Sequence, residues 1–76
     1  MSKTEKIIAD YCAENIPNWS IRVSLALEKI DHWRCPLQQA DYSLYNEIQD
    51  AIDDCANDYD GFLDTDNVDA ESLIWL

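Results

Sequence analysis

Residues 43–59 read SLYNEIQDAIDDCANDY and carry the clearest helical pattern of the chain. At helical spacing, the apolar side chains fall on one arc and the acidic side chains fall on the opposite arc. The apolar arc holds Leu44, Ile48, Ala51, Ile52, Cys55 and Tyr59, and the acidic arc holds Glu47, Asp50, Asp53, Asp54 and Asp58. We therefore predict an amphipathic helix from about Ser43 to Tyr59, with Asp41 or Ser43 as its N-cap and Gly61 just beyond its end.

A first helix is predicted on the N-terminal side, from about Ser2 to Asn15. Ser2 and Glu5, three residues later, form a capping box in which each side chain satisfies a backbone donor. Pro17 ends the helix, because the residue before a proline avoids the helical backbone conformation. The apolar arc of this helix is formed by Ile7, Ile8, Tyr11, Cys12 and Ile16.

A second helix is predicted from about Trp19 to Arg34, with Asn18 as its N-cap. One apolar face is formed by Trp19, Val23, Ala26, Leu27, Ile30 and Trp33, and a second face holds Ile21, Leu25 and His32. Since a helix that is apolar on two sides usually packs between two neighbours, we predict that this helix is the central one. The alternative is that the second face is exposed for a partner.

The remaining segments have weaker patterns. Pro36 breaks the chain, and Leu37–Asp41 is either a short helical turn or a loop. Asp64, Asp66 and Asn67 indicate a loop or an N-cap, and residues 68–75 form either a short closing helix or an extended tail. The four apolar residues at the end are expected to pack back onto the bundle, because they would otherwise form an adhesive patch. They are Leu73, Ile74, Trp75 and Leu76.

These segments predict an all-α fold, a small three-helix bundle with a short C-terminal closing helix or tail, in which residues 1–76 form a single helical domain. The chain has one Gly and two Pro in 76 residues, which favours helices over a sheet with many tight turns. A domain of this size has a thin core, so large side chains supply much of it. The predicted core consists of Ile8, Tyr11, Trp19, Val23, Leu27, Ile30, Trp33, Leu44, Ile48, Ile52 and Tyr59.

The net charge of −11 arises entirely in the second half of the sequence. Residues 1–34 hold five bases and five acids, whereas residues 35–76 hold eleven acids and neither Lys nor Arg. The eleven are Asp41, Glu47, Asp50, Asp53, Asp54, Asp58, Asp60, Asp64, Asp66, Asp69 and Glu71. Because like charges repel, the composition argues against direct binding to nucleic acid or to an anionic membrane, and a basic protein is the natural partner.

Four of these carboxylates follow one another along the third helix at spacings of three, four and four residues. They are Glu47, Asp50, Asp54 and Asp58. This spacing gives a row with steps of about 5–6 Å, whereas DNA carries one phosphate per about 3.4 Å on each strand. We predict that the row imitates phosphates and binds the basic site of a nucleic-acid-binding protein or complex. The predicted partner-binding residues are Glu47, Asp50, Asp53, Asp54, Asp58, Asp60, Asp64 and Asp66, and the alternative is a solvated face that serves solubility.

In size and charge the chain resembles the small acidic helical inhibitors that phages and mobile elements direct against restriction or CRISPR machinery. The resemblance implies a DNA mimic with anti-restriction or anti-CRISPR activity, and no residue motif points to one family. The alternative, from a different class, is a structural or assembly module that contacts a partner or a second copy of itself. Its contacts would be apolar residues such as Ile21, Leu25, Trp75 and Leu76.

Calcium binding is a weaker alternative for the acidic segment after the third helix. An EF-hand loop with Gly61 at its sixth position would begin at Ala56 and end at Asn67. Both end positions require acidic ligands, so the motif fails and only an irregular calcium site remains open.

Zinc binding and catalysis have still less support. His32 and Cys35 are the one closely spaced ligand pair, whereas structural zinc sites usually show two such pairs. Cys12 and Cys55 fall on apolar arcs, where cysteine behaves as a small hydrophobic residue. No nucleophile with an orienting base and no special pair of carboxylates is evident, so we predict no enzyme activity, no metal and no cofactor.

The sequence also predicts a cytoplasmic protein. Residues 1–14 mix charged and apolar side chains, unlike a signal peptide. No apolar run approaches the roughly 20 residues that a membrane-spanning helix needs. The three cysteines are odd in number and widely spaced, which favours a reducing compartment over a disulfide framework.

Overall fold

The computed structural model describes residues 2–75, apart from the side chain of Trp33, and shows five α-helices in this range. They are α1 (Lys3–Asn15), α2 (Trp19–Trp33), α3 (Leu37–Ala40), α4 (Tyr42–Asp58) and α5 (Ala70–Ile74). No strand occurs between residues 2 and 75. The predicted all-α fold with a short closing helix is confirmed, and α3 forms the helical turn that was one of the two interpretations of residues 37–41.

The limits of α1 follow the sequence signals. The Ser2 hydroxyl accepts a hydrogen bond from the backbone N–H of Glu5 at 3.1 Å, which is the serine half of the predicted capping box. At the other end, Ile16 has an extended backbone and is followed by Pro17. The prediction that Pro17 ends this helix is confirmed.

Asn18 precedes α2 but does not cap it by the predicted mechanism. Its backbone is left-handed, with a φ of 56°, and its side chain makes no capping hydrogen bond. An N-cap side chain normally reaches the free N–H groups of the first turn from an extended backbone, so the left-handed conformation removes that hydrogen bond. Because Asn tolerates the left-handed region better than most residues, it serves the tight connection between α1 and α2 instead.

Asp41 begins α4. Its Oδ1 accepts a hydrogen bond from the backbone N–H of Leu44 at 2.9 Å, so the structure selects the first of the two predicted N-caps. The helix ends at Asp58, one residue earlier than predicted. The chain then turns through Asp60 and Gly61, whose φ angles are 54° and 76°. Glycine adopts this conformation without steric cost, which explains why the helix stops here.

The segment after α4 contains the short closing helix rather than an extended tail. The N-cap of α5 is Asp69, whose Oδ1 accepts a hydrogen bond from the backbone N–H of Ser72 at 2.8 Å. The predicted candidates for such a cap, Asp64, Asp66 and Asn67, lie in the preceding connection. The cap therefore stands two residues beyond the last of these candidates.

The apolar chain end packs back onto the bundle in part. Leu73 and Ile74 are buried, as predicted, whereas the side chain of Trp75 is 58% exposed. Leu76 lies outside the described residues. The short α5 thus anchors two side chains in the core and leaves an aromatic ring at the surface.

One hydrophobic core receives side chains from all five helices. Its buried members are Ile8, Cys12, Ile16, Ala26, Ile30, Leu37, Leu44, Ile48, Ala51, Ile52, Cys55, Val68, Ala70, Leu73 and Ile74. The helical spacing predicted the contribution of α4 well, because five of its six arc residues are buried. Leu37, Val68 and Ala70 lie in segments without a clear periodic pattern, so their burial was not predicted.

The aromatic part of the predicted core is less buried than expected. Tyr11 and Trp19 pack against the core but remain partly accessible, and the same holds for the aliphatic Leu27. Val23 was also predicted to be in the core and is only partly buried. Tyr59 was predicted to be buried and is 45% exposed, so that prediction is wrong. Its position lies beyond the last residue of α4, where helical spacing no longer places it above the core. Trp33, another predicted core residue, has a side chain outside the described part of the chain.

The central helix of the bundle is α4, and the prediction that α2 is central is wrong. α4 packs against α1, α3 and α5, whereas the main neighbours of α2 are α1 and α3. The second apolar face of α2 is consequently uncovered, with Ile21 and Leu25 among the exposed large apolar residues. The sequence pattern shows that a helix has two apolar faces but does not show whether both are covered within one chain.

Candidate protein-interaction surface

Five carboxylates of α4 form what we call the acidic face: Glu47, Asp50, Asp53, Asp54 and Asp58. The four aspartates are exposed, and Glu47 is half-buried. At 100° per residue, Asp50, Asp53 and Asp54 point away from the buried arc of α4, whereas Glu47 and Asp58 lie at the edge of that arc, close to the line of Ala51. The central position of α4 in the bundle holds this face on a firmly packed element.

Glu47 is bonded to a base, contrary to the prediction of an unneutralised row. Arg22 of α2 donates from Nη1 to Oε2 of Glu47 and forms an ion pair that joins two helices. The side chains of Arg22 and Glu47 are 24% and 42% exposed. Sequence spacing within α4 could not reveal this partner, because the two residues are 25 positions apart.

The remaining carboxylates of the acidic face have no such neutralisation. Among residues 2–75, Arg22 is the one Lys or Arg side chain that forms an ion pair with this face. Asp53 lies on the far flank of α4, about 100° around the helix axis from Asp54. The charge therefore covers a broad strip of α4 rather than a single line.

Three of the predicted residues converge on one shallow cleft. Glu47, Asp50 and Asp54 line it from α4, and Tyr11 and Asn15 line it from the end of α1. Its volume is about 180 Å³, which is below the roughly 300 Å³ at which small-molecule pockets begin. Carboxylates beside an aromatic ring suit one cationic side chain, which they hold by charge-assisted hydrogen bonds and by contact with the ring.

Tyr11 is a residue of this surface that the sequence interpretation assigned only to the core. Desolvation raises the pKa of Tyr11, and a hydrogen bond to Asp58 and the charges of Asp58 and Asp54 raise that pKa further. The phenol of Tyr11 thus lies among the carboxylates of α4, where its hydroxyl offers a hydrogen-bond donor beside Asp58. The signal available in the sequence was that a tyrosine on an apolar arc carries a polar tip that needs a partner.

The acidic loop, defined here as Asp60, Asp64 and Asp66 in the connection between α4 and α5, is exposed and is not helical. Asp64 accepts a long hydrogen bond of 3.5 Å from the side chain of Asn67. The structure does not extend the regular row of α4 into this connection. These three residues add negative charge near the end of α4 without the fixed spacing of the acidic face.

No metal site is built from these groups within the described part of the chain. Between residues 2 and 75, no three side chains of the types His, Cys, Asp and Glu come together in a way that would hold an ion. The described residues therefore give no support to the irregular calcium site in the acidic loop or to the zinc site at His32 and Cys35.

The two buried thiols are poor nucleophiles. Burial raises the pKa of Cys12 to about 11, with a smaller contribution from Cys55. Desolvation also raises the pKa of Cys55, and the charge of Asp58 adds to this effect. A thiol that stays protonated at neutral pH is unreactive, so these two cysteines serve the core.

No protein family, curated protein or solved structure matches this chain. Among the described helices, none combines the length and the apolar composition that crossing a membrane requires.

Proposed function

We propose that the protein is an acidic inhibitor that binds a basic partner and competes with nucleic acid for that partner's binding site. The observation that carries the proposal is the exposure of Asp50, Asp53, Asp54 and Asp58 on one central helix, without a Lys or Arg partner between residues 2 and 75. The mode of action is occupation of a site and includes no catalytic step.

The absence of bases from the second half of the sequence supports a role beyond solubility. Like charges at helical spacings of three and four residues cost a few tenths of a kcal/mol each, and Asp is a mediocre helix former. A solvated helix face needs neither feature, whereas a surface that replaces phosphates needs dense negative charge on a rigid element. The row on α4 has steps of about 5–6 Å, of the same order as the phosphate spacing of DNA.

The ion pair at Glu47 modifies the proposed contact. Since Arg22 neutralises one end of the row, the main contact is expected to involve Asp50, Asp54 and Asp58, with Asp53 on the flank. The cleft beside Tyr11 would receive one Arg or Lys side chain of the partner. Asp60, Asp64 and Asp66 would act at longer range, by attracting the partner before the contact forms.

The cell compartment is part of the proposal. None of the three cysteines is in a disulfide, and two are buried with raised pKa values. This supports action in a reducing compartment such as the cytoplasm, where disulfides are rare.

The test is capture of partners from a lysate of the producing cells at low salt, with duplex DNA as a competitor. The acidic-face variant carries Asp50→Lys, Asp54→Lys and Asp58→Lys. A matched control carries Asp10→Lys, Glu14→Lys and Asp31→Lys, which are exposed residues of α1 and α2 and change the net charge equally. We expect the wild type and the control to capture a basic protein that both duplex DNA and salt release.

The acidic-face variant is expected to lose this capture while it retains its helical circular dichroism. If it captured the same protein as fully as the control did, the acidic face would not be the contact. If the captured protein were released by salt but not by duplex DNA, the partner would be basic but its nucleic-acid site would not be involved.

The assembly alternative has an observation of its own. Ile21, Leu25 and Trp75 are exposed large apolar residues, as a surface for apolar contact requires. A complex formed through them should resist salt and should strengthen in sulfate, whereas binding by the acidic face should weaken. The two modes use different elements, so both can belong to one molecule.

A further inference from the structure

A groove lies between the start of α1 and the segment that follows α4. Its volume is about 330 Å³, at the lower end of the range of roughly 300–1,000 Å³ that small-molecule sites occupy. The described residues that line it include no carboxylate, whereas three carboxylates line the cleft beside Tyr11. The lining residues of the groove are Lys3, Thr4, Ile7, Tyr59, Phe62 and Leu63.

The walls of the groove are apolar and continuous with the core. Ile7 and Leu63 are partly buried and pack against the buried core residues. Tyr59 and Phe62 are 45% and 91% exposed, so the fold leaves most of this aromatic surface in contact with water. Small-molecule sites have the same composition, in which mainly apolar and aromatic side chains accompany a few polar groups. A ligand in the groove therefore gains by covering apolar surface that the chain itself leaves open.

A tight turn sets the two aromatic residues close to each other. The backbone N–H of Phe62 donates a hydrogen bond to the carbonyl oxygen of Tyr59 at 3.0 Å. Asp60 and Gly61, the two residues between them, both have positive φ angles, as a two-residue turn of this kind requires. The backbone of the turn, and not burial of the ring, thus holds Phe62 beside the groove.

Lys3 determines which charge the groove accepts. It is the one charged residue among the described side chains that line the groove. Between residues 2 and 75, its ammonium group forms no ion pair. A cationic group would be repelled here, whereas a carboxylate would accept a charge-assisted hydrogen bond from Lys3. Because Lys3 is exposed, this pair contributes modestly, and apolar contact supplies most of the affinity.

From these observations we infer that the groove binds a small free carboxylate with an apolar body, of the kind that short fatty acids represent. The carboxylate accepts from Nζ of Lys3, and the apolar body lies against Ile7, Tyr59 and Phe62. The groove is small and open, so it suits a ligand of roughly eight non-hydrogen atoms, such as hexanoate, with a dissociation constant of about 0.5–10 mM. The inference does not depend on the proposed inhibitor function, because these residues lie outside the acidic face.

The experiment is a titration of the ¹⁵N-labelled full chain, followed by NMR, with hexanoate, 1-hexanol and hexylamine as probes. Sodium chloride at about 150 mM screens the net charge of −11, which would otherwise repel any anion. We expect hexanoate to shift the amide signals of residues 3–7 and 59–63 in a saturable manner. The alcohol should bind more weakly, and the amine most weakly. The proposal is overturned if hexanoate shows no saturable shifts there up to about 20 mM, or if it binds no more tightly than the alcohol.

The role of the charge is tested by Lys3→Gln. This variant is expected to bind hexanoate about two- to fivefold more weakly and to bind 1-hexanol as the wild type does. Lys6→Gln is the matched control, because Lys6 is exposed on the same helix, lies outside the groove lining and gives the same change in net charge. An equal loss in both variants would mean that net charge, and not a contact with Lys3, favours the anion.

The role of the aromatic wall is tested by Phe62→Ser. Removal of the ring should weaken hexanoate and 1-hexanol by the same factor, about threefold or more, because both probes lose the same apolar contact. Trp75→Ser is the matched control, since Trp75 is also an exposed aromatic residue and lies outside the groove. Both rings are at the surface, so both variants should fold. Unchanged binding in Phe62→Ser would place the ligand elsewhere and overturn the proposal.

A protein C-terminus is another source of a carboxylate beside an apolar side chain. An acetylated tetrapeptide that ends in leucine is therefore titrated in parallel with its C-terminal amide. We expect neither peptide to bind more tightly than hexanoate. If the free-acid peptide bound more tightly than both its amide and hexanoate, the groove would be a site for a protein terminus and not for a free ligand.

Discussion

Asp41 shows that not every carboxylate of the acidic half serves as surface charge. Its side chain satisfies a backbone N–H at the start of α4, and Asp69 does the same for α5. Both carboxylates also lie at helix N-termini, where negative charge interacts favourably with the helix dipole. Two of the eleven acids therefore stabilise the fold directly and are not candidates for partner binding.

Replacement of Asp41 by Ala is expected to lower the free energy of unfolding by about 0.5–2 kcal/mol, because the N–H of Leu44 loses its partner. Asp41→Asn should preserve most of the stability, since Asn is an equally good cap. Urea unfolding measures both values. Ser43→Ala is the matched control, and a loss there as large as at Asp41 would show that the cap was wrongly assigned.

The raised pKa of Cys12 predicts a loss of stability at alkaline pH. In the unfolded chain the thiol ionises near its ordinary pKa of 9.0, whereas the folded protein holds that pKa at about 11. The stabilisation is complete below pH 9 and is lost as pH rises towards 11, by at most about 1.4 kcal/mol per pH unit. Tyr11, whose pKa is also raised, adds a loss that begins above pH 10.

Urea unfolding between pH 8 and pH 11 measures this slope in the wild type and in Cys12→Ala. The substitution leaves a small cavity and lowers the free energy of unfolding at every pH. The informative result is therefore how steeply that free energy falls with pH, and not its absolute value. If the free energy of unfolding falls less steeply with pH in Cys12→Ala than in the wild type, the ionisation of Cys12 contributes to the alkaline loss of stability. An unchanged slope would mean that other groups control the alkaline limit.

Single residues also mark where prediction from the sequence stops. The caps Ser2 and Asp41 were predictable, because each lies within three residues of the N–H that it accepts from. The ion pair between Arg22 and Glu47 was not, because it depends on how two helices are placed against each other. Helical spacing thus placed the aspartates of α4 on an exposed surface, but it could not show that Glu47 is neutralised.

At the scale of elements, α4 was the most predictable part of the molecule. Its apolar residues repeat at helical spacing, and its limits differ from the predicted ones by one residue at each end. The limits of α2 were predicted equally well, but its central position in the bundle was not confirmed. Two apolar faces indicate that a helix can pack on two sides, but they do not show that the same chain covers both. α5 is only five residues long, too short for a periodic signal, and its N-cap was missed.

The burial of α4 predicts a large effect of its core residues on stability. Ile48 is fully buried, so Ile48→Ala should cost about 2–5 kcal/mol through lost apolar burial and a remaining cavity. For a chain of 76 residues the total stability is expected to be about 4–11 kcal/mol. Much of the population of this variant should therefore unfold at modest urea concentrations.

Ile21→Ala is the control for this prediction, because it removes the same atoms from an exposed position. The free energy of unfolding of Ile21→Ala, measured by far-UV circular dichroism in urea, should stay within about 0.5 kcal/mol of the wild-type value. Similar losses for the two variants would mean that α2 is covered within the monomer.

At the scale of the whole molecule, charge and shape act together. The chain concentrates its net charge of −11 in residues 35–76, and its Cα radius of gyration is 11.9 Å. Charges of one sign at such short distances repel each other in the folded state more than in the extended chain. The same distribution that is proposed to bind a basic partner therefore lowers the stability of the protein in isolation.

The melting temperature is consequently expected to rise when sodium chloride is raised from about 20 mM to about 500 mM, because salt screens this repulsion. A variant with Asp50→Asn, Asp53→Asn and Asp54→Asn should melt at a higher temperature in low salt and should gain less from added salt. Thermal unfolding at low protein concentration measures both. A melting temperature independent of ionic strength in the wild type would contradict a crowded acidic face.

The different environments of the three cysteines make the native chain selectively labelable. Cys12 and Cys55 are fully buried, whereas Cys35 follows α2 at a partly accessible position and lines a shallow cleft with Trp75. A maleimide dye at neutral pH should therefore attach to Cys35 much faster than to the other two thiols. The dye would sit within reach of an indole ring, so its emission would respond directly to anything that covers this end of α2.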